Sequence, residues 1–293
     1  SAWKASPFLS RTHGQAASPS TFGKEINVFL SRLDNEIKTL KSVQVKGKWG
    51  GATGNFHTLV LIDEKKNWIN FIKGFFKFIK TPLNTLTTQI EPHDCIAELS
   101  HSIVRINNVL IDMNRDIWMY ISNDLFKLKV IKGEVGSSTM PHKVNPIDFE
   151  NSEGNLELSN ALFTFFGDKL SKSRLQRDLS DSTVLRNIGV PFGHSYLAIQ
   201  SLIKGFSKLE VNKEQSLKEL NNNWQILGEA IQTVMKLEGY DDAYEIIKDL
   251  TRGELLTENS YKSLINSLEI SINSKSKLLK LTPATYIGLS KSI

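Results

Sequence analysis

The chain has 293 residues, of which 40% are hydrophobic and 23% are charged, so its composition is that of a globular protein and excludes a largely disordered one. Its formal net charge is +5, but basic and acidic residues alternate along most helical patterns, which disfavours a nucleic-acid-binding stripe. The lone Cys95 excludes a disulfide within the chain and a metal site of several cysteines, and no apolar run reaches membrane-spanning length. We therefore expect a cytoplasmic protein that binds neither nucleic acid nor a membrane.

The first helical pattern begins after Pro19, where Ser20 is a candidate N-cap. Before this helix, His13 stands between Thr12 and Gly14, and an imidazole in that position could transfer protons near neutral pH. The glycine-rich stretch 46–55 that follows the helix lacks the spacing of a dinucleotide-binding or phosphate-binding loop. It predicts a turn with close backbone approach, to which we assign no role.

The longest regular pattern follows Pro92, with apolar residues at alternating three- and four-residue spacing from Ile96 to Tyr120. Since 93–132 contains neither Pro nor Gly, the pattern predicts one helix of roughly 40 residues, or about 60 Å. A helix this long cannot be covered by its own small domain, so we expect a bundle completed by neighbouring subunits. Just before the helix, Gln89 offers an amide suited to a carboxylate or a base edge.

A stretch rich in small and polar residues, 133–146, separates this helix from the next one. Two glycines give it backbone freedom, and Pro146 suits the first turn of the following helix. The polar side chains that this stretch and the first turn after it would present are Ser137, Ser138, Lys143, Asn145 and Asn151. Because a helix start also favours anions, the stretch is typical of a site for carboxylates.

A second polar segment, 173–187, opens another helix, with Ser180 as its predicted N-cap. Around this cap lie the side chains that could bind an anion, namely Arg177, Ser182, Thr183 and Arg186. The alternative is that these arginines pair with Asp178 and Asp181 at a surface helix end. Pro191 then predicts a kink in the following helix, and the polar stretch 210–213 predicts a domain junction.

Several of these stretches resemble one enzyme family. Residues 136–146 resemble the signature of the fumarase/aspartase superfamily, whose lyases release fumarate by β-elimination. The segments 10–25 and 173–187 are similar to those of the adenylosuccinate lyases, of the bacterial-type branch, and 87–94 resembles that family's Thr-x-Gln-x-x-x-His-Asp element. The resemblance implies that the chain lacks the family's N-terminal domain.

The fold implied by the resemblance is all-α, a long-helix bundle with a smaller helical C-terminal domain, divided as 1–208 and 209–293. The implied reaction is cleavage of adenylosuccinate to AMP and fumarate, and of the succinylated aminoimidazole carboxamide ribotide to its amide and fumarate. It requires no metal and no cofactor, and the implied assembly is a homotetramer with shared active sites.

The resemblance also implies roles for particular residues. His13 would be the general acid and Ser137 the base, with Ser138 as a lesser candidate for the base. The residues implied to bind substrate are Thr12, Gln89, Ser138, Lys143, Asn145, Asn151, Arg177, Ser182, Thr183 and Arg186.

Three alternatives stay open. Within the same enzyme class, the chain could be an argininosuccinate lyase or another lyase of the superfamily. It could be a non-catalytic protein on the same scaffold, although the presence of His13, Ser137, Lys143 and Arg186 argues against loss of the chemistry. The third alternative is a basic nucleic-acid-binding module, which has no support other than the excess of basic residues.

Overall fold

The computed structural model of the protein describes residues 3–130, 140, 143–251 and 256–293, with side chains in all of these except 249–251. Within those ranges, no helix is both long and apolar enough to cross a membrane.

Helices make up most of the described chain. The α-helices are α1 (Phe22–Ser42), α2 (His57–Ile62), α3 (Trp68–Phe78), α4 (Asp94–Ser122), α5 (Ile147–Leu170), α6 (Ser180–Leu185), α7 (Gly189–Lys208), α8 (Lys213–Asn221), α9 (Gly228–Leu237), α10 (Ala243–Thr251), α11 (Glu258–Ser267) and α12 (Ile272–Leu279), with a 3₁₀ helix at Trp224–Leu227. The strands are β1 (Pro7–Phe8), β2 (Arg11–Thr12), β3 (Gln15–Ala16), β4 (Ser20–Thr21), β5 (Phe126–Leu128) and β6 (Leu209–Val211). They pair antiparallel, β1 with β4, β2 with β3 and β5 with β6. Because no described strand exceeds three residues, the predicted all-α fold class is confirmed.

The long helix α4 is shorter than its pattern predicts. It ends at Ser122 after 29 residues, or roughly 44 Å, so the prediction of one helix up to Lys132 is wrong. The backbone reverses at Asp124, whose φ of 57° is left-handed, and the amide of Leu125 donates to the carbonyl of Tyr120 at 2.9 Å. The chain then enters β5, which pairs with β6.

The described residues of 31–118 and 135–208 form one compact unit, here called the bundle unit. Its apolar core contains Ile103 of α4 with Phe163, Phe166 and Leu170 of α5. Helices α5 and α7 pack closely along their length. A methyl group at Gly205 would lie 2.9 Å from the ring of Phe149, so a side chain there would force these two helices apart.

A buried polar cluster also joins the helices of the bundle unit. The side-chain nitrogen of Asn107, a residue only 1% exposed, lies 3.1 Å from the hydroxyl of Ser159, 3.0 Å from Oδ1 of Asn160 and 3.0 Å from the hydroxyl of Ser195. The Ser159 hydroxyl donates to the Pro191 carbonyl at 2.9 Å. One amide of α4 is therefore hydrogen-bonded to both α5 and α7.

The described residues of 1–30, 119–134 and 209–293 form a second compact unit, here called the terminal unit. Its larger core is helical and includes Leu227, Ile231, Tyr261 and Ile265, all fully buried. An aromatic cluster forms around Phe22, with its partners Phe8, Tyr120 and Phe126 at centroid distances of 4.3, 5.8 and 4.7 Å. Residues from three distant parts of the sequence thus build this unit.

The division into domains 1–208 and 209–293 stays a prediction. The change from bundle unit to terminal unit at Lys208 and Leu209 coincides with that boundary, while 1–30 and 119–134 group with 209–293. The kink predicted at Pro191 is wrong, because α7 begins at Gly189. Pro191 therefore lies in the first turn of α7, where a missing N–H costs no helical hydrogen bond.

Candidate active site

Thr12 and His13 lie at the tip of a short hairpin in the terminal unit. Strands β2 and β3 pair Arg11 with Ala16 and Thr12 with Gln15, so His13 and Gly14 are the two turn residues. Their φ angles of 52° and 73° are both left-handed, as a type I′ turn requires, and Gly14 adopts this conformation without steric cost. His13 is exposed, so the turn leaves its imidazole accessible.

Gln89 lies in the bundle unit, in the segment before α4. The backbone N–H of Gln89 donates to the backbone carbonyl of Gln176 at 3.2 Å, and the Gln89 side chain is exposed. This contact brings Gln89 beside the segment that carries Arg177. The two substrate-binding candidates, 88 positions apart in sequence, are therefore neighbours in the fold.

Lys48, which sequence reasoning did not select, holds the Gln89 segment in place. Its ammonium donates to the carbonyls of Gly51, Thr88 and Gln89 at 2.8, 3.3 and 2.6 Å. Burial lowers the pKa of Lys48 from its usual value, because partial loss of water disfavours the charged form. Every residue has a backbone carbonyl, so the sequence does not show which carbonyls accept from Lys48. The position of a lysine within a glycine-rich stretch was the one signal available.

The same glycine-rich stretch approaches the Gln89 segment closely at Gly54. A Cβ at Gly54 would lie 1.9 Å from the carbonyl oxygen of Thr87, and the φ of Gly54 is 77°. Both constraints exclude any other residue without a backbone shift. The predicted close backbone approach is thereby confirmed.

The polar stretch before α5 is described in part. Ser137 and Ser138 lie outside the described residues, whereas Lys143 and Asn145 lie inside them and are exposed. Pro146 occupies the N-cap position of α5 and not its first turn, and its carbonyl accepts the amides of Phe149 and Glu150 at 3.0 and 3.2 Å. Lys143 and Asn145 thus directly precede a 24-residue helix.

Asn151 lies on the first turns of α5 within a chain of polar side chains. Its Nδ2 donates to the hydroxyl of Ser201 at 3.1 Å, and its Oδ1 accepts from Asn155 at 3.0 Å. Oδ1 of Asn155 lies 2.9 Å from Nδ1 of His194, a residue of α7. Asn151 is exposed, and these hydrogen bonds fix its side chain.

The 173–187 segment forms a helix start that differs from the prediction. Helix α6 begins at Ser180, and its N-cap position is Leu179, so Ser180 does not cap it. Asp178 caps the helix instead, because its Oδ1 accepts hydrogen bonds from the backbone N–H of Ser180, at 2.7 Å, and from the Ser180 hydroxyl. Hydrogen bonds from the hydroxyl and then the amide of Ser180 lower the pKa of Asp178 to about 2.

The arginines of this segment fall into two groups. Arg174 pairs with Asp178 at 3.1 Å, and Arg177 lies 3.7 Å from Oδ1 of Asp181. The pairing predicted as the alternative for Arg177 and Arg186 is thus observed for Arg177, and Arg174 forms a further pair of the same kind. Arg186 is exposed at the end of α6, and within the described ranges no acidic side chain pairs with it. Ser182 and Thr183 lie in the same short helix.

The described candidates belong to two units. Thr12 and His13 belong to the terminal unit, and the candidates from Gln89 to Arg186 belong to the bundle unit. Within the bundle unit, Gln89 and the segment of Arg177 are brought together by the Gln89–Gln176 contact. Among the residues with described side chains, no group of three or more His, Cys, Asp and Glu could hold a metal ion.

Comparison with known proteins gives matches over almost the whole chain. Residues 2–158 match a family model described as "Lyase", and residues 173–287 match one described as "Adenylosuccinate lyase C-terminal". The protein named adenylosuccinate lyase of Legionella pneumophila (strain Corby) is 52% identical over 285 residues, which cover 97% of this chain and 62% of that protein. The adenylosuccinate lyase of Escherichia coli (strain K12) is 50% identical over 282 residues, which cover 96% of this chain and 62% of that protein.

A solved structure has a similar fold. The crystal structure of 3-carboxy-cis,cis-muconate lactonizing enzyme from Pseudomonas putida aligns with a TM-score of 0.78 at 20% identity, covering 99% of this chain and 66% of that one. At this identity the likeness concerns the fold alone. The chain spans about 62% of the length of the curated relatives named here.

Replacing Lys48 by Met should loosen both segments that its ammonium joins. We expect amide hydrogen exchange in 50–55 and 87–90 to become at least about tenfold faster, since a hydrogen bond to a charged group contributes about 1.5 kcal/mol or more. Lys46→Met is the matched control, because Lys46 is an exposed lysine two positions away. Equal exchange in the wild type and Lys48→Met would show that the three carbonyls do not depend on Lys48.

The cap of α6 should respond to acid through Asp178. Because its pKa is lowered in the fold, the stabilisation it gives is complete above the unfolded value of about 3.9 and is lost as the pH falls through about 2. In Ser180→Ala, the Asp178 carboxyl signal in a ¹³C NMR titration from about pH 6 to about pH 1 should have a higher midpoint than in the wild type. Arg174→Ala should shift it less, because Arg174 contributes less to the lowering than the two Ser180 donors. A larger shift in Arg174→Ala would contradict this assignment.

Proposed function

Since the chain belongs to the lyase family whose model matches residues 2–158, we propose that it carries the catalytic residues of an adenylosuccinate lyase. The proposed reaction is β-elimination of fumarate from adenylosuccinate, which leaves AMP, and from the succinylated aminoimidazole carboxamide ribotide, in purine nucleotide biosynthesis. The observation that carries the proposal is the identity of about half of all residues, over nearly the whole chain, with proteins named adenylosuccinate lyase.

The elimination needs an acid and a base. A base must remove a carbon-bound proton beside a carboxylate, and an acid must protonate the departing nitrogen. We assign His13 as the acid, which fits an exposed imidazole at a defined turn. We assign Ser137 as the base and keep Ser138 as the lesser candidate. A serine hydroxyl is a poor base, so it requires nearby positive charge, and Lys143 follows in the same stretch.

The developing negative charge also has to be held by donors. Cations and amides near the carboxylates lower the barrier because they stabilise charge that grows in the transition state. Exposure and the absence of an acidic partner among the described side chains make Arg186 the best placed arginine for an anionic group. The residues proposed to bind substrate are Thr12, Gln89, Ser138, Lys143, Asn145, Asn151, Arg177, Ser182, Thr183 and Arg186.

The proposed assembly is a homotetramer with shared active sites. On α7, Phe192, Tyr196, Ile199 and Ile203 follow one another at spacings of three and four, and each is at least 36% exposed. An apolar stripe of this kind fits the helices of further copies, which would complete the bundle. We also propose a cytoplasmic location, and the reaction requires no metal or organic cofactor.

The test of the proposed function is fumarate release. The natural full-length chain should convert adenylosuccinate to fumarate and AMP and should leave argininosuccinate unchanged. Both reactions are monitored by ultraviolet absorbance. Cleavage of argininosuccinate alone would move the protein to the runner-up lyase. No cleavage of either substrate by a folded tetramer would favour a non-catalytic protein.

Substituting His13 or Ser137 by Ala should lower turnover by about 10² to 10⁴. The fold and the tetramer should stay intact, as checked by circular dichroism and native mass. If the site is shared between subunits, mixing the two inactive variants should restore part of the activity, because some sites then hold both intact residues. Each variant mixed with itself is the control. No recovery after verified subunit exchange would place both residues in one chain's site.

Arg186→Ala should weaken nucleotide binding more than it slows chemistry. The substitution removes a charge-assisted contact away from the bond that breaks, so KM should rise for both substrates and the Kd of AMP should rise far more than that of fumarate. Arg174→Ala is the matched control, because Arg174 lies in the same segment and pairs with Asp178. Unchanged AMP affinity in Arg186→Ala would exclude Arg186 from the nucleotide site.

A further inference from the structure

The hairpin that carries His13 has little backbone structure of its own. It is defined here as residues 10–18, and its strands β2 and β3 have two residues each. Residues 11–16 are all exposed, so no core contact immobilises the tip. Two-stranded hairpins are at best marginally stable in water. The position of His13 therefore depends on the contacts that hold the two sides of the hairpin to the rest of the unit.

One such contact is an ion pair between the hairpin and α8. Nη2 of Arg11, two residues before His13, donates to Oε1 of Glu219. The Glu219 side chain is 15% exposed against 40% for Arg11, so the carboxylate is the sheltered partner. Glu219 is followed by Leu220, which is fully buried in the core of the terminal unit. The carboxylate is thus attached to a rigid element, and the arginine to a weak one.

A second contact holds the other side of the hairpin. The hydroxyl of Ser18 donates to Oε2 of Glu229, on α9, at 2.6 Å. The hydroxyl of Tyr286 donates to the same oxygen at 3.2 Å. At the base, the amide of Ala17 donates to the carbonyl of Ser10 at 2.8 Å. Carboxylates from two successive helices thus hold the two sides of the hairpin.

We infer that Glu219 is a positioning residue for His13, acting through Arg11. This inference rests on the proposed function, in which His13 is the general acid. The Arg11–Glu219 pair fixes the strand that leads directly into the turn, whereas the Glu229 contact fixes the hairpin five residues beyond His13. Because an acid misplaced by about 1 Å can cost about 10²-fold in rate, a loose hairpin would impair proton transfer most. Substrate binding would weaken less, because Thr12 is the hairpin's one residue among the proposed substrate contacts.

The first experiment replaces Glu219 by Met in the natural full-length chain, which removes the acceptor and keeps the bulk. We expect kcat to fall about 10- to 100-fold, with a clearly smaller rise in KM, which would come from Thr12 on the same strand. Glu219→Gln keeps one oxygen acceptor for Arg11 and should retain more activity than Glu219→Met. Glu214→Met is the matched control, because Glu214 is an exposed carboxylate on the same helix, and it should behave as the wild type.

The second experiment asks whether Glu219 acts through His13. In a His13→Ala background, Glu219→Met should change kcat by less than about twofold, since there is no acid left to misplace. If the two losses multiply, Glu219 acts on another step and the inference is overturned. A fall in kcat for Glu219→Met that comes with an equal rise in KM would overturn it as well.

The charge swap covers the case in which Glu219→Met folds poorly. Glu219→Arg should lose activity, and Arg11→Glu combined with Glu219→Arg should regain part of it by restoring the pair. No regain in a folded double variant would contradict the inference. Failure of the proposed function looks different, because the wild type would then be inactive or His13→Ala would be fully active.

Discussion

The buried amide of Asn107 is the contact on which the bundle unit depends. It lies within hydrogen-bond distance of α5 and α7 at once, in an interior where an unpaired amide would cost about 1–3 kcal/mol. Apolar packing tolerates sliding of one helix along another, but a shared amide is satisfied in a single register. That register sets the start of α5, and with it Lys143, Asn145 and Asn151. One polar group therefore defines the frame to which several candidate substrate contacts are attached.

Local patterns predicted most features that depend on neighbouring residues, with the cap of α6 as an exception, and missed those that depend on distant ones. The apolar spacing predicted α4, and the polar stretch at 173–187 predicted a helix start there. The end of α4 was missed because a left-handed Asp124 and a pairing with β6 terminate it, and neither leaves a periodic signal. The cap of α6 was assigned to Ser180, although the Asp178 carboxylate two residues earlier is the stronger acceptor. Lys48 was missed because its partners are backbone carbonyls.

Charge is distributed unevenly among the polar groups of the bundle unit. Arg174 and Arg177 lie beside acidic side chains of their own segment, which leaves them close to neutral as pairs. Lys143 and Arg186 have no acidic partner among the described side chains, and both are exposed. A dianionic or trianionic ligand would therefore meet a positive field at these positions and little net charge at the paired arginines. Resemblance identified Lys143, Arg177 and Arg186 as candidates, and the structure separates the paired Arg177 from the other two.

The pairing of β5 with β6 closes a chain segment of about 80 residues, for which the entropy of closure is roughly 4 kcal/mol by the logarithmic dependence on loop length. A ladder of three residues cannot offset that cost by itself. Packing of α5 against α7 lies within the closed segment and shortens the effective loop, because two antiparallel helices return the chain towards its start. The short ladder is therefore thermodynamically dependent on the long helices between its strands, and a change that weakens α5 or α7 is also a change in the closure of the segment.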